Sequence, residues 1–321
     1  MWYGRLEKGE RDMGRELNTR FGEAEFRIPE NWQSGIPLAE NPYPSVLVDI
    51  TSRCNMHCNF CYYQNRKQED MPVSFFEHIC KTLPFPIILK LAGGEPTLHP
   101  QFHEFIRLAT VHDHKTYTCS NGLRYRDPEF MASLVPLHEL HAGFSLGISM
   151  DGGTGNAKAY EMIAGRDCLK EKLEAFAALV QHRHYRICLT AIIVRGLNED
   201  VIGQLIGLAK EHPEAVRYIH LRNAGRTGAF LDTEPYSLDE LKALVRPHFS
   251  AEQFLPRCIG ELFCPPESGR DCCYRFRPTP RLQISLVEFA SEKSANCPKR
   301  GRILLGSDRI LPLFHSIRNE L

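Results

Sequence analysis

From Ser45 onward the chain alternates between two hydrophobic rhythms. Short runs of apolar and β-branched residues give way to stretches in which apolar positions recur every three or four residues. The runs predict strands at Ser45 to Ile50, Ile87 to Leu91, Lys115 to Thr118, Gly143 to Ser149, Arg186 to Val194 and Val216 to Leu221. Between them, Phe75, Phe76, Ile79, Cys80 and Leu83 mark one helical face, and Phe102, Phe105, Ile106 and Ala109 mark a second. Leu169 to Val180, Val201 to Leu208 and Leu238 to Val245 continue the helical pattern. Strand-then-helix units in unbroken succession favour a parallel sheet with helices packed outside it.

The flanks read differently. Residues 1–44 carry Pro29, Pro37, Pro42 and Pro44 and read as an arm leading into the first strand. Past about residue 245 the rhythm fades while Pro, Arg and Cys accumulate. The expected organisation is therefore an N-terminal arm over 1–44, a β/α body over 45–245 and a cysteine-bearing C-terminal extension over 246–321. An open doubly wound sheet has the same rhythm as a barrel. The residues at the strand ends separate the two: Thr51-Ser52-Arg53-Cys54, Gly93-Gly94-Glu95-Pro96, Ser120-Asn121-Gly122, Ser149-Met150-Asp151-Gly152, Val194-Arg195-Gly196 and Asn223-Ala224-Gly225-Arg226. In a β/α barrel such ends converge on one mouth, which is where that architecture places its chemistry. Each turn alone is also the Gly, Asn and Asp that βα turns ordinarily prefer.

Charge and composition narrow the function. In 321 residues, 39 Lys and Arg balance 39 Asp and Glu, which argues against a protein built to grip nucleic acid or anionic lipid. No apolar run approaches the roughly 20 residues that span a bilayer. Met1 to Arg20 has charges of both signs and no apolar centre, so no secretory signal is expected and the chain reads as cytoplasmic. The 12 cysteines are too sparse for a disulfide scaffold, which frees them in a reducing compartment to be ligands or core fillers. Cys80, Cys119, Cys168 and Cys188 are scattered and expected to be buried small hydrophobes. The histidines, among them His112, His114, His182 and His184, are expected to be solvated or at helix ends, with no metal-site spacing.

Cys54, Cys58 and Cys61 fall within one loop between a strand and a helix. Thiolates there suit zinc or iron–sulfur chemistry. A structural zinc site needs four ligands, and His57, a possible fourth by type, adjoins Cys58 and would strain a tetrahedron. A four-iron cluster on three cysteines instead leaves one iron open to a ligand.

Cys54-x3-Cys58-x-Phe60-Cys61 resembles the cysteine motif of radical S-adenosylmethionine enzymes, and Gly93-Gly94-Glu95-Pro96 resembles their GGEP motif on the second strand. Ser149-x-Asp151-Gly152 is similar to the fourth-strand motif of the branch with sulfatase-maturing and peptide-modifying members, and Tyr160 to Gly165 loosely matches the next motif of that branch. The likeness covers about residues 45–228. It implies an α/β fold, a partial (β/α)6 TIM-like barrel. It also implies a [4Fe–4S] cluster on Cys54, Cys58 and Cys61, whose vacant iron takes the amino and carboxylate groups of S-adenosylmethionine. Gly93 and Gly94 would admit the methionine part, Glu95 would lie near its amino group, and Ser120, Asn121 and Ser149 would hydrogen-bond ribose or carboxylate. Phe60 and the ends of the fifth and sixth strands would lie beside adenine. Reductive cleavage would give a 5′-deoxyadenosyl radical that takes a hydrogen atom from the substrate, with a reductase, ferredoxin or flavodoxin as electron donor.

Each position also has a plainer reading. Gly93 and Gly94 make a turn, Glu95 caps the next helix, Ser120 and Asn121 form a turn, and Asp151 shapes its loop. Arg166 either reaches the carboxylate or pairs on the surface. In the extension, Cys258, Cys264, Cys272, Cys273 and Cys297 are enough thiols for one auxiliary iron–sulfur cluster, with zinc or unliganded thiols as the alternatives. Arg226, Arg270, Arg275, Arg277 and Arg281 would meet an anionic or peptide substrate, or only solvent. A peptide or protein substrate is expected by resemblance. A nucleotide, sugar or other small metabolite is the alternative within enzymes, and a non-catalytic iron–sulfur or zinc module the alternative outside them.

Overall fold

The computed structural model describes residues 20–21, 24–25, 45–61, 68–83, 86–140, 144–182, 186–225, 232–255, 273–289, 300–305 and 311–312. Six parallel strands form its centre: β1 (Ser45–Thr51), β2 (Ile88–Gly93), β3 (Lys115–Thr118), β4 (Ser145–Ser149), β5 (Ile187–Ile193) and β6 (Val216–Asn223). These match the expected strands to within a few residues. Four more strands extend the sheet, β7 (Cys273–Phe276), β8 (Gln283–Val287), β9 (Arg300–Ile303) and β10 (Leu311–Pro312). The order across the ten strands is β10-β9-β1-β2-β3-β4-β5-β6-β8-β7. Arg20–Phe21 and Ala24–Glu25 pair separately as an antiparallel hairpin.

Because β1 to β6 lie side by side in chain order, there is no reversal point of the kind that defines a doubly wound sheet. Right-handed crossovers between successive neighbours put their helices on one face, and the sheet curls away from them into a partial barrel. The helices are α1 (Val73–Thr82), α2 (Phe102–Val111), α3 (Pro128–Leu140), α4 (Ala157–Ala164), α5 (Leu169–Gln181), α6 (Asp200–Glu211) and α7 (Leu238–Val245). Val46, Val48 and Ile50 of β1, Leu89 and Leu91 of β2 and Leu189, Ala191 and Ile193 of β5 share one core with Phe76, Phe105, Phe176, Leu205 and Leu241 of the helices. Side chains alternate along a strand, so Asp49 of β1 and Lys90 of β2 lie on the other side from those apolar neighbours.

Two helices are not evident in the apolar pattern. α3 contains Pro136 and begins at Pro128, where Asp127 Oδ1 accepts from the Glu129 and Phe130 amides at 3.0 and 3.3 Å. A proline at the first helical position removes only a donor that had no helical partner. α4 is capped by Asn156, whose Oδ1 accepts from Ala159 N at 2.9 Å, and it stops at Gly165 with φ 82°.

The chain beyond 245 reaches both ends of the sheet. β8 pairs parallel to β6, and β9 pairs parallel to β1. At the second junction Arg302 Nη2 lies 2.6 Å from Asp49 Oδ2, with neither side chain exposed. Burial pushes the Asp49 carboxyl up, while the guanidinium pulls it down.

The histidine expectation needs correction. His114 is buried, with Nδ1 3.2 Å from Ile87 N and Nε2 3.0 Å from the Cys80 carbonyl. His99 is likewise buried between Gln101 N and the Met71 carbonyl, 3.0 and 3.1 Å away. A neutral imidazole with a donor and an acceptor satisfies backbone groups where aliphatic residues cannot. His112 and His182 cap α2 and α5, as expected, and His184 lies outside the described residues. Cys80, Cys168 and Cys188 are buried and Cys119 half-buried. Among the described residues no helix is long and apolar enough to cross a membrane.

Candidate active site

The cysteine loop leaves β1 at Thr51, and its start and return are clamped together. Ser52 N donates to the Glu69 carbonyl at 2.8 Å and Glu69 N to Ser52 Oγ at 2.7 Å. Thr51 Oγ1 donates to Asp70 Oδ1 at 2.6 Å, and the Arg53 guanidinium pairs with Asp70 at 2.9 Å. The middle of the loop docks on the end of α4. Asn59 N donates to the Ile163 carbonyl at 3.0 Å and Asn59 Nδ2 to the Met162 carbonyl at 2.8 Å. Gly165 permits this approach, since a Cβ there would stand 2.6 Å from the His57 carbonyl oxygen.

Cys54 and Cys58 pack on Met56, Leu123, Tyr160, Ala164 and Cys168. Burial first, then Asp151, Cys61 and Cys54, push the Cys58 thiol up to about 12, while Lys172 opposes them. A thiol raised in this way stays protonated, and a coordinating metal reverses that by deprotonating its ligand. Among the described residues no three His, Cys, Asp or Glu converge on one metal ion. In an iron–sulfur cube each thiolate binds a different iron, so the triplet need only border a common space. A cavity of about 440 Å³ lined by Ser52, Arg53, Cys54, His57, Gln68 and Leu98 opens beside the loop.

Gly93 and Gly94 run backbone to backbone against the start of the loop. Gly94 N donates to the Thr51 carbonyl at 2.8 Å and Glu95 N to the Arg53 carbonyl at 2.6 Å. A Cβ at Gly93, whose φ is 115°, would lie 2.1 Å from the Thr51 carbonyl oxygen, and one at Gly94 would lie 2.3 Å from that of Arg53. The absence of side chains here is therefore demanded by the protein itself, before any ligand is considered.

Glu95 is 1% exposed and holds the next turn together. Its Oε1 accepts from Thr97 N at 3.2 Å, Thr97 Oγ1 at 2.6 Å and Ser120 Oγ at 2.8 Å, and its Oε2 accepts from Asn121 N at 2.6 Å. Burial raises its pKa and these bonds oppose the rise. Oε1 is saturated, whereas Oε2 keeps a lone pair. Glu95 thus does cap the short helical turn Pro96–Leu98. Ser120 Oγ also accepts from Gly122 N at 2.8 Å, and Asn121 Oδ1 accepts from Leu123 N at 2.9 Å, so both form the turn as well. Asn121 Nδ2 donates to Asn55 Oδ1 of the cysteine loop at 2.8 Å.

The fourth strand end meets the third through a residue that the sequence pattern does not single out. Lys172 of α5 is 1% exposed, and its Nζ donates to the Asn121 carbonyl at 2.5 Å, the Ser149 carbonyl at 2.8 Å and Ser149 Oγ at 2.9 Å. Asp151 is buried, its Oδ1 accepting from Ile192 N at 2.8 Å, which shapes its loop as expected. Asn198 binds the Asp151 and Ile192 carbonyls, both at 2.7 Å, and accepts from Val194 N at the same distance. Phe60 packs with Ala159 and Ile163 of α4 and with Ile192, Val194 and Ala224 at the ends of β5 and β6, and it lies 5.4 Å from the Arg222 guanidinium. Arg166 is exposed and pairs with Glu171 at 2.9 Å, the plainer of its two readings. The structure thus gathers Cys54, Cys58, Cys61, Phe60, Gly93, Gly94, Glu95, Ser120, Asn121 and Ser149 around one end of the sheet.

Of the C-terminal thiols, Cys273 is half-buried at the start of β7, opposite Val287. Cys258, Cys264, Cys272 and Cys297 lie outside the described residues, as do Arg226 and Arg270. Arg275 sits in β7 with Nε 3.1 Å from Ser285 Oγ, and exposed Arg281 pairs with Glu214.

Known proteins resemble this chain in sequence pattern, in overall sequence and in fold. The sequence pattern of the Radical SAM superfamily matches residues 48–209, just over half of the chain. The 7,8-dihydro-6-hydroxymethylpterin dimethyltransferase of Methanocaldococcus jannaschii is 26% identical over 56% of this chain and 36% of its own. The GTP 3′,8-cyclase of Chlorobaculum tepidum is 25% identical over 71% of this chain and 72% of its own. Among solved structures, Streptococcus suis SuiB superposes with a TM-score of 0.54 at 16% identity, over 84% of this chain and 60% of that one. At that identity the likeness speaks to the fold. The chain spans about a third of the pterin enzyme that it matches.

Proposed function

The chain belongs to the radical S-adenosylmethionine superfamily, and from that membership we propose that it cleaves S-adenosylmethionine reductively and abstracts a hydrogen atom from a substrate carbon. The superfamily's cofactors are a [4Fe–4S] cluster and S-adenosylmethionine. The observation that carries the reading is the cysteine loop itself, three neighbouring thiols held by backbone contacts to the glycine pair and to α4.

Cys54, Cys58 and Cys61 would hold the cluster. Bound there, it would supply the electron for reductive cleavage of S-adenosylmethionine. The remaining work belongs to the chain. The Gly93–Gly94 backbone keeps the loop at a fixed distance from the third strand end through Glu95. Glu95, buried itself, serves the site by holding the turn beside it. Ser120 and Asn121 are largely engaged in their turn, so they act on S-adenosylmethionine chiefly by fixing its wall, while Ser149 presents its hydroxyl beside Lys172. Phe60, with Ile192, Val194 and Ala224, offers an apolar face for adenine and shields a reactive carbon radical from water. The electron would come from a reductase, ferredoxin or flavodoxin.

For the substrate, the peptide expectation rests on motif resemblance alone. A nucleotide or related heterocycle has the firmer support, because the GTP 3′,8-cyclase aligns over most of both chains and the pterin enzyme over half of this one. We extend the proposal to one auxiliary cluster on the C-terminal cysteines: about eight irons per chain after reconstitution would support it and about four would refute it. Anaerobically loaded protein given dithionite and S-adenosylmethionine is expected to release 5′-deoxyadenosine. None from protein with its full iron content would refute the proposed activity. Stimulation by GTP and not by peptides would support the nucleotide reading, and the reverse would restore the peptide one.

A further inference from the structure

Lys172 sits in the sequence Leu169-Lys170-Glu171-Lys172-Leu173-Glu174, which reads as the solvent side of a helix. Lys170 fulfils that reading, with its side chain 88% exposed. Lys172 does the opposite at 1%. A buried ammonium is costly unless its donors are all used, and all three are: one on the Asn121 carbonyl, one on the Ser149 carbonyl and one on Ser149 Oγ, at 2.5 to 2.9 Å. Its acceptors come from the two consecutive strand ends that border the cysteine loop. The Tyr160 ring lies 5.9 Å away, and Asp151, Cys168, Cys58 and Glu95 are the acidic groups that face it, from four separate segments. Burial lowers its pKa, and those four groups oppose the fall.

Mere packing does not explain such a residue. An apolar side chain of the same length would fill the space at less desolvation cost. A cation does two things that an apolar residue cannot: it holds two backbone carbonyls at one spacing, and it places positive charge beside Cys58. Resting on the proposed function, we propose that Lys172 is a positioning residue of the S-adenosylmethionine site, fixing the Asn121 and Ser149 strand ends relative to the cysteine loop and directing its positive charge toward Cys58.

The geometric half predicts weaker binding of S-adenosylmethionine when the clamp is cut. The electrostatic half predicts a more negative cluster potential, because adding an electron is harder without the nearby cation. Groups that orient ligands in this indirect way typically cost 10- to 100-fold in affinity when removed, which sets the expected scale.

The test uses the reconstituted full chain with Lys172→Met and Lys172→Arg. Calorimetry gives S-adenosylmethionine affinity, and a redox titration followed by electron paramagnetic resonance gives the cluster potential. Lys172→Met, if it loads iron, should bind S-adenosylmethionine roughly 10- to 100-fold more weakly at a more negative potential. Lys172→Arg should keep the potential near that of the wild type and still lose affinity, because a planar guanidinium does not reproduce three converging bonds from one nitrogen. Wild-type affinity and potential in Lys172→Met would overturn the inference. If that variant does not fold, wild-type affinity in Lys172→Arg overturns the clamp. A wild-type chain that loads no cluster refutes the parent reading and this one with it, whereas a loaded wild type with unaffected variants refutes this one alone.

Discussion

Gly94→Ala separates two reasons for a glycine beside a cofactor. If the glycine serves only a ligand's approach, the variant should be as stable as the wild type before any ligand is added. The structure argues otherwise. The new Cβ would meet the Arg53 carbonyl oxygen at 2.3 Å and the Ser52 carbonyl oxygen at 2.8 Å, so the two backbones must separate until contacts reach 3.0 Å or more. Both neighbours are main chain, and no rotamer change relieves them. Forced overpacking of this kind costs about 1–3 kcal/mol. The opening also weakens the Gly94–Thr51 and Glu95–Arg53 hydrogen bonds, each worth ~1 kcal/mol net. The sum is about 2–5 kcal/mol, or roughly a 3–7 °C fall in melting temperature for a chain of this size. The assay is thermal unfolding of the iron-free protein, followed by iron content after reconstitution. We expect the fall in stability before loading and a loss of S-adenosylmethionine cleavage after it, since a displacement of about 1 Å can cost 10²-fold in rate. A metal-free Gly94→Ala protein as stable as the wild type would refute the reasoning and return the glycine to a purely ligand-directed role.

Other expectations come from the same geometry. Arg302→Met leaves the Asp49 carboxylate buried without its 2.6 Å partner and should cost about 3–5 kcal/mol in urea unfolding. The double variant Asp49→Leu with Arg302→Met should recover most of that, and an equal loss in the double variant would contradict it. His99 and His114 titrate below the ordinary 6.5 because they are buried, and each Nδ1 accepts a backbone N–H that protonation would break. The unfolded chain therefore takes up protons first, and this contribution to stability is lost as pH falls through the unfolded value. His114→Asn should accordingly cost less stability at pH 5.5 than at pH 7.5, and equal costs would contradict the assignment. Glu95→Gln keeps the shape but loses acceptor capacity towards Thr97, Ser120 and Asn121. It should weaken S-adenosylmethionine binding by calorimetry about 10- to 100-fold, and unchanged affinity would argue against the turn as a wall of the site.

What was legible in the sequence was what depends on near neighbours. Ile187 to Ile193 announces a strand by its branched apolar run, and the cysteine triplet and glycine pair declare themselves by spacing. Local pattern misled where the partner is distant. Lys172 looks like its exposed neighbour Lys170, and only contacts 23 and 51 residues away along the chain distinguish it. Glu95 reveals its role through Ser120 and Asn121, which are 25 and 26 residues on. His114 reads as a polar helix-end residue until the Ile87 amide is placed against it. The strands past residue 245 are short, and β9 finds its place only through β1, with Arg302 pairing to Asp49 across 253 residues. Pro136 hid α3, because a proline inside a helix breaks the rule that identifies one.

The proposed chemistry depends on Cys54, Cys58 and Cys61 holding a cluster with one iron open to S-adenosylmethionine. Electron paramagnetic resonance of the reduced, reconstituted protein, recorded with and without S-adenosylmethionine, tests that directly. The expected result is a four-iron signal that shifts when S-adenosylmethionine is added and that is abolished in Cys58→Ala. A spectrum indifferent to S-adenosylmethionine, or a loop cluster that survives in Cys58→Ala, would contradict it.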